Sequence, residues 1–421
     1  MILVYSQQQS PRLSFVLNEL FQPVGLLVTV TTNLEQYTIY QGVKFQYGGA
    51  LPGPNIIASS LLFQSHVVPQ KITMNKTFSG DWDVLAAAFY LLSQYDEYLD
   101  LERDEYGRLY SSSMMHVRKE LHDIPIVDSW RADIFTWLNS YFPDLNYTPT
   151  EFRDILTVDV DSAFAYSYKG LYRILGGFGK DISNFKFGNA AKRLLTLLRL
   201  KKDVFDTYNE LSILSEKYNL TLIYFFLLAD FKGQDVSISH KSNGLRKLIE
   251  KLALNYTLGI HPGIYSHEHE EKLNIEIARL DKITRRKTTI SRQHFLQFQF
   301  PTDALKLSRS GIQTDYSIGF FDAIGYKNGT TLPVQFYDLR ENQVIQFHMQ
   351  SFCAMDATLV RYLKLTPEVA VKQLRKMRAF NEENNLPFIL LWHNETQSNS
   401  HGWKGWNHVL NDVFSASTPL N

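Results

Sequence analysis

The sequence predicts an α/β protein, with a parallel sheet of the size that closes into a (β/α) barrel and a smaller α/β module ahead of it. Three observations carry this. The first thirty residues read β-α-β, the segment 142–150 (FPDLNYTPT) joins two patterns with prolines and turn formers, and apolar strands then alternate with amphipathic helices to the end. The expected division is an α/β module over 1–145 and the larger domain over 150–421.

The opening run ILVY is a strand, and Ser10-Pro11 is a helix start, after which Leu13, Val16, Leu17 and Leu20 recur on one face. Pro23 stops that helix. Val24 to Thr32 is rich in Val and Thr and reads as the second strand. Residues Tyr37 to Tyr47, broken at Gln41-Gly42, suggest a hairpin or two short strands. A helix capped by Asp81 or Asp83 follows, with Leu85, Ala88, Phe89 and Leu92 on one face. In the larger domain the expected strands are Asp154–Asp161, Leu220–Ala229, Tyr256–His261, Thr288–Arg292, Gln343–Met349 and Pro387–His393. Helices are expected over Ala190–Leu200, Ser242–Leu254 and Glu270–Ile283, and after Thr366-Pro367-Glu368.

Composition narrows the function classes. Of 421 residues 44% are hydrophobic and 20% charged, which excludes a disordered chain. Lys+Arg and Asp+Glu are both 43, so no net charge drives the whole chain onto nucleic acid or an anionic membrane. The basic stretch Lys192 to Lys202 surrounds a leucine stripe and reads as a solvated helix face. A single cysteine, Cys353, permits neither an internal disulfide nor a Cys-rich zinc site. No secretory layout opens the chain and no apolar run approaches a membrane span, so a cytoplasmic protein is expected.

Chemistry gathers at strand ends. Asp159 and Asp161, at i and i+2, share a face of one strand, which implies a metal, a raised pKa or a solvent-exposed strand end. His261 ends another strand before a Pro-Gly loop that also holds His267 and His269. Arg292 and His294 end a third, and Trp392-His393-Asn394 a fourth. Each alone is ordinary; four apolar strands that all finish in Asp, His or Arg are not.

Asp159-Val-Asp161, Gly259-Ile-His261-Pro, Ser291-Arg292-Gln-His294, Thr314-Asp315-Tyr316 and Leu391-Trp392-His393-Asn394 occur in the order of the five motifs of polysaccharide deacetylases. The chain resembles a bacterial subgroup of these NodB-homology carbohydrate esterases that carries an uncharacterised N-terminal module. The resemblance implies a distorted (β/α) barrel that removes an acetyl group from an N-acetylated sugar, using a divalent metal, zinc first. By position it makes Asp159 the general base, Asp161 and His261 metal ligands, Arg292 the group that orients the base and His393 the general acid. Tyr265, Trp392, Asn394 and Asp315 are expected at the substrate, a carbohydrate or small amide; Trp403 and Trp406 offer further stacking surfaces, and core packing accounts for these aromatics equally well.

Two departures stand out. Family members carry a second metal histidine four positions after the first, where this chain has Tyr265, so His294, at a strand end, is preferred to His267 as third ligand. Lys327 stands near the place of an expected arginine and lacks its planar fork. A metal-independent amidohydrolase and a catalytically silent carbohydrate-binding or scaffold protein are the alternatives. A glycosidase is disfavoured because two acids on one strand cannot flank a glycosidic bond.

Overall fold

The computed structural model describes residues 1–185 and 187–415, so residues 416–421 of the expected second domain lie outside the described residues. The chain divides into two compact units, Met1–Arg153 with Leu296–Ala354 and Met377–Ile389, and Asp154–Phe295 with Met355–Lys376 and Leu390–Asn421. Both are mixed α/β. Segments 296–354 and 377–389, which the sequence places in the larger domain, cluster with the N-terminal module.

In the first unit β1 (Ile2–Ser6) lies parallel between β2 (Val28–Thr31) and β3 (Lys44–Tyr47), with β4 (Asn55–Ile56) outside β3. The helix Pro11–Phe21 starts where expected, with the Ser10 hydroxyl accepting from the Arg12 amide, and buries Leu13, Val16, Leu17 and Leu20. The helix Val84–Leu92 is buried on every side, as its Ala86-Ala87-Ala88 centre allows. Asp83 caps it, accepting from the Ala86 amide at 2.9 Å, and also accepts from the Tyr47 hydroxyl at 2.8 Å.

The hairpin expected over Tyr37–Tyr47 is not formed. Leu34–Ile39 is a helix capped by the Asn33 side chain, and only Lys44–Tyr47 is a strand. The end of that helix is held by the Lys44 ammonium, which donates to the carbonyls of Tyr37 and Thr38 at 3.0 and 3.1 Å. These local caps outweigh the β propensity of the tyrosine-rich run.

The second unit is built on β5 (Asp154–Val160), β6 (Thr221–Leu227), β7 (Thr257–His261) and β8 (Ile290–Ser291), each parallel to the next. The Leu390–His393 end of the strand Phe388–His393 lies beside β5, where the Thr157 hydroxyl donates to the Leu390 carbonyl at 2.7 Å. β6 (TLIYFFL) is buried from Leu222 onward, so both of its faces are covered. The helices Tyr208–Tyr218, Asn243–Leu252 and Glu270–Thr284 make the crossovers that parallel pairing requires. Two further helices, Leu171–Ser183 and Phe187–Leu197, stand in the connection that follows β5.

In the returning segments of the first unit β9 (Thr314–Ile318) pairs parallel with β11 (Gln343–Ser351), which pairs antiparallel with β10 (Val334–Asp338). Only β11 is expected from the sequence; the other two, TDYSI and VQFYD, are short and half polar. Among the described residues no helix is long and apolar enough to cross a membrane.

Candidate metal centre

Strand register explains how residues a hundred positions apart meet. Val160 pairs with Phe226, Leu227 with His261 and Ile260 with Ser291, so Asp161, His261 and Arg292 leave their strands at one level, with Asp159 two residues below. All lie at the carboxyl ends of parallel strands, where an α/β sheet leaves its crevice.

Asp161, His261 and His294 each offer a ligand atom, and these atoms all lie within 4.8 Å of one another. His261 Nε2 stands 3.3 Å from Asp161 Oδ1 and His294 Nε2 stands 3.7 Å from Asp161 Oδ2. Both imidazoles are committed at the other nitrogen. His261 Nδ1 donates to the Arg292 carbonyl at 2.6 Å, and His294 Nδ1 donates to Asp235 Oδ1 at 2.9 Å. Each Nδ1 is therefore taken up as a donor, which leaves Nε2 as the nitrogen facing Asp161, the arrangement that ligating histidines adopt. Asp235 also accepts from the Ile264 amide, and Glu276 accepts from the Gly263 amide at 3.0 Å and from the Ser266 hydroxyl, which fixes the Pro-Gly turn after β7. His294 does not close the strand as expected: β8 ends at Ser291, and His294 opens the short 3-10 turn His294–Leu296, where Phe295 lies in the left-handed region (φ 58°), a conformation unusual for a bulky residue.

Asp159 is buried and held apart from the cluster. Arg292 Nη1 donates to its Oδ1 at 2.9 Å, while its Oδ2 is 3.9 Å from His261 Nε2. The wholly buried Arg292 reaches Asp159 over the ring of Phe225, with its guanidinium 4.7 Å from the ring centroid. Gly259 makes room: a Cβ there would lie 2.5 Å from the Phe225 ring. The glycine of the Gly-Ile-His motif thus leaves room for the ring over which Arg292 reaches Asp159.

His393 is the fourth edge of the site, with Nε2 3.8 Å from Asp161 Oδ2. Its Nδ1 donates to Asp356 Oδ1 at 2.7 Å and its backbone amide to Asp356 Oδ2 at 2.8 Å. Asp356, wholly buried, also accepts from the Ala357 amide and the Thr396 hydroxyl, so it is fixed before His393 meets it.

The charges follow from this packing. Burial lowers the His393 imidazolium, but Asp356 outweighs it and the group is pushed up to about 10. Burial lowers His294 too, and Asp161, followed by Asp235, raises it to about 9. Burial raises Asp161, and His294 and His261 overcome this, holding its carboxyl well below the usual carboxylate range. The field that attracts protons to His294 is one that favours a cation in the same place.

The donor set fits a divalent metal. A carboxylate oxygen and two imidazole nitrogens are a zinc set, and donors of one tetrahedral zinc stand about 3.4 Å apart. The gaps of 3.3 and 3.7 Å bracket that separation. Asp161 Oδ1 is buried without a hydrogen-bond partner, an atom with a lone pair to give.

The remaining predicted residues are placed differently. Tyr265 keeps exposed surface beneath the Lys232 ammonium, 4.1 Å from its centroid. Trp392 is wholly buried and Trp403 and Trp406 nearly so. Asn394 is buried, its side chain donating to the carbonyls of Ser162 and Phe205. Asp315, in the first unit, is buried and accepts from the Ser317 amide at 2.8 Å, and Lys327, also there, pairs with Glu97 at 2.7 Å. His267 and His269 are not in the cluster. Sequence reasoning missed Asp235 and Asp356, loop or strand-edge acids without periodic context.

Residues 2–143 match the model of DUF7033, a family of unknown function. No curated protein matches the chain. Among solved structures it is similar to a protein of Mycobacterium smegmatis assigned provisionally as a polysaccharide deacetylase, at 12% identity and TM-score 0.37 over 63% of this chain and 85% of that one. A polysaccharide deacetylase of Bacillus cereus matches at 10% identity and TM-score 0.31 over 62% of this chain and 85% of that one. A Pseudomonas aeruginosa protein, assigned like the first, matches at 10% identity and TM-score 0.37 over 63% and 83% of the respective chains.

Proposed function

We propose that this protein is a metal-dependent hydrolase of the polysaccharide deacetylase kind, which removes the acetyl group from an N-acetylated carbohydrate or carbohydrate precursor. A distorted (β/α) barrel, and a division into a module over 1–145 and a hydrolase domain over 150–421, belong to the same proposal. The observation that carries it is the convergence of Asp161 with His261 and His294, both histidines aimed by a hydrogen bond at Nδ1.

In this reading Asp161, His261 and His294 hold a divalent ion, zinc for preference. Bound there, zinc supplies Lewis acidity, making water easier to deprotonate and the amide carbonyl easier to attack. Asp159 takes the proton from the attacking water as its oxygen bonds to the carbonyl carbon. Arg292 keeps Asp159 in place for that task. The C–N bond then breaks, and His393 gives its proton to the departing nitrogen, leaving acetate and a free amine. The Asp356 contact keeps His393 protonated until that moment. A ligand from the turn after β8 replaces the family's i+4 histidine, so Tyr265 is freed to face the solvent side.

Metal analysis and acetate release from N-acetylglucosamine oligomers test this. Asp161→Ala should remove zinc and activity together, whereas Asp159→Asn should keep zinc and lose about 10²–10⁴-fold in rate. A parent protein that takes up no zinc in equilibrium dialysis defeats the reading.

A further inference from the structure

The helical hairpin that follows β5 leaves an unusual number of large apolar side chains exposed. On the helix Leu171–Ser183, Tyr172, Leu175 and Ile182 fall on one stripe and are 93%, 58% and 54% exposed. On Phe187–Leu197 and the turn after it, Phe187, Leu194 and Leu198 form a second exposed stripe, and Phe185 at the hairpin tip packs edge-on against Phe187. The inward side holds an ion pair among the half-buried Ile174, Phe178, Leu195 and Leu197. Asp181 and Arg193 pair across the two helices at 2.9 Å beside the buried Thr196, with Gly177 leaving space for the guanidinium. A soluble helix buries its leucines and exposes such a pair.

Charge gives the second observation. Residues 164–202 hold nine Lys and Arg against one Asp, although the whole chain is neutral. Lys180, Lys192, Arg199 and Lys201 are exposed on the flanks of the apolar stripes. Apolar side chains flanked by exposed cations are what an interfacial helix presents to a bilayer: the apolar stripe enters the acyl boundary and the ammonium and guanidinium groups meet lipid phosphates. A nucleic acid would answer the cations but leave the leucines in water, and a polar protein surface would do the same.

We propose that the hairpin 171–198 docks the protein onto the surface of an anionic lipid bilayer. The occupant of this face is lipid, held by apolar insertion and phosphate contact together. Because the hairpin is the connection leaving the strand of Asp159 and Asp161, docking brings surface-borne saccharide substrates to those carboxylates; that consequence rests on the hydrolase reading, and the docking does not.

Co-sedimentation of the whole chain with vesicles is the test. The parent is expected to pellet with equal parts of phosphatidylglycerol and phosphatidylcholine, to remain in solution with phosphatidylcholine alone, and to release as salt rises. Leu175→Ser with Leu194→Ser and Leu198→Ser, all at exposed positions, should lower binding at least about tenfold. Lys192→Glu with Arg199→Glu and Lys201→Glu should abolish the preference for anionic vesicles while the circular dichroism spectrum stays that of the parent. A parent that pellets with neither vesicle, or a leucine variant that binds like the parent, overturns the proposal. So does a dimer in sedimentation velocity that the leucine variant dissolves, since the face then belongs to a second copy. Zinc dialysis on the same preparations separates the two readings: vesicle binding without zinc uptake leaves docking standing and defeats the hydrolase, and the converse result defeats docking alone.

Discussion

Asp356→Asn removes a charge while preserving shape, and its consequence can be worked from geometry. His393 Nδ1 lies 2.7 Å from Asp356 Oδ1, and His393 is pushed from 6.5 to about 10, with Asp356 the strongest of the groups that raise it. At about 1.4 kcal/mol per unit the whole rise corresponds to an upper limit of about 5 kcal/mol, shared with Asp161 and Asp159. An acid works while it holds its proton, so activity is present below the His393 pKa and lost above it. With the Asp356 charge gone, burial acts against weaker opposition and the value falls. The basic limb of kcat/KM should therefore move to lower pH, by no more than the whole rise from 6.5 to about 10, with activity recovered below it. Acetate release measured across the pH range reads this directly, with zinc content checked in both proteins. Coincident basic limbs in parent and variant, at equal zinc content, would refute the assignment of His393 as acid and of Asp356 as the residue that keeps it charged.

Other predictions are shorter. Gly259→Ala brings a Cβ to within 2.5 Å of the Phe225 ring and 2.8 Å of Ile290, so it should displace Arg292 and cut kcat more than zinc affinity, as steady-state kinetics and dialysis would show. His393→Ala should slow amine departure with zinc retained; loss of zinc would make His393 a ligand. In the first unit, burial raises Glu19 from 4.5 to about 7, so its contribution to stability is fully present below about pH 4.5 and lost as pH rises through about 7. Glu19→Gln should flatten that slope in urea unfolding and gain up to about 3 kcal/mol at neutral pH.

How much of this was legible in the sequence follows from what side-chain periodicity can carry. Asp159 and Asp161 declare a shared face because a strand repeats every two residues, and His261, Arg292 and His393 each close an apolar run, so the strand ends stand out without any structure. Their meeting depends on register, which a single sequence does not state. Asp235 and Asp356 lie next to short loops, where no period distinguishes a carboxylate that orients a histidine from one that faces water. The hairpin or strand pair expected over Tyr37–Tyr47 fails for a related reason: the helix Leu34–Ile39 is decided by Asn33 and Lys44, two caps outside it. The hairpin after β5 shows the remaining limit most plainly. Its leucine spacing reads correctly as a helix, yet the assignment of a solvated basic face assumed that the leucines point inward. Periodicity identifies a stripe but not the medium it faces. Here the Asp181–Arg193 pair shares the inward place with Leu195 and Leu197, and Leu194, Leu198 and Leu200 are turned out. A neutral total charge concealed the local excess of cations beside them. The apolar stripe and the cations belong to one surface, and removing either should weaken its hold on lipid while leaving the metal ligands untouched.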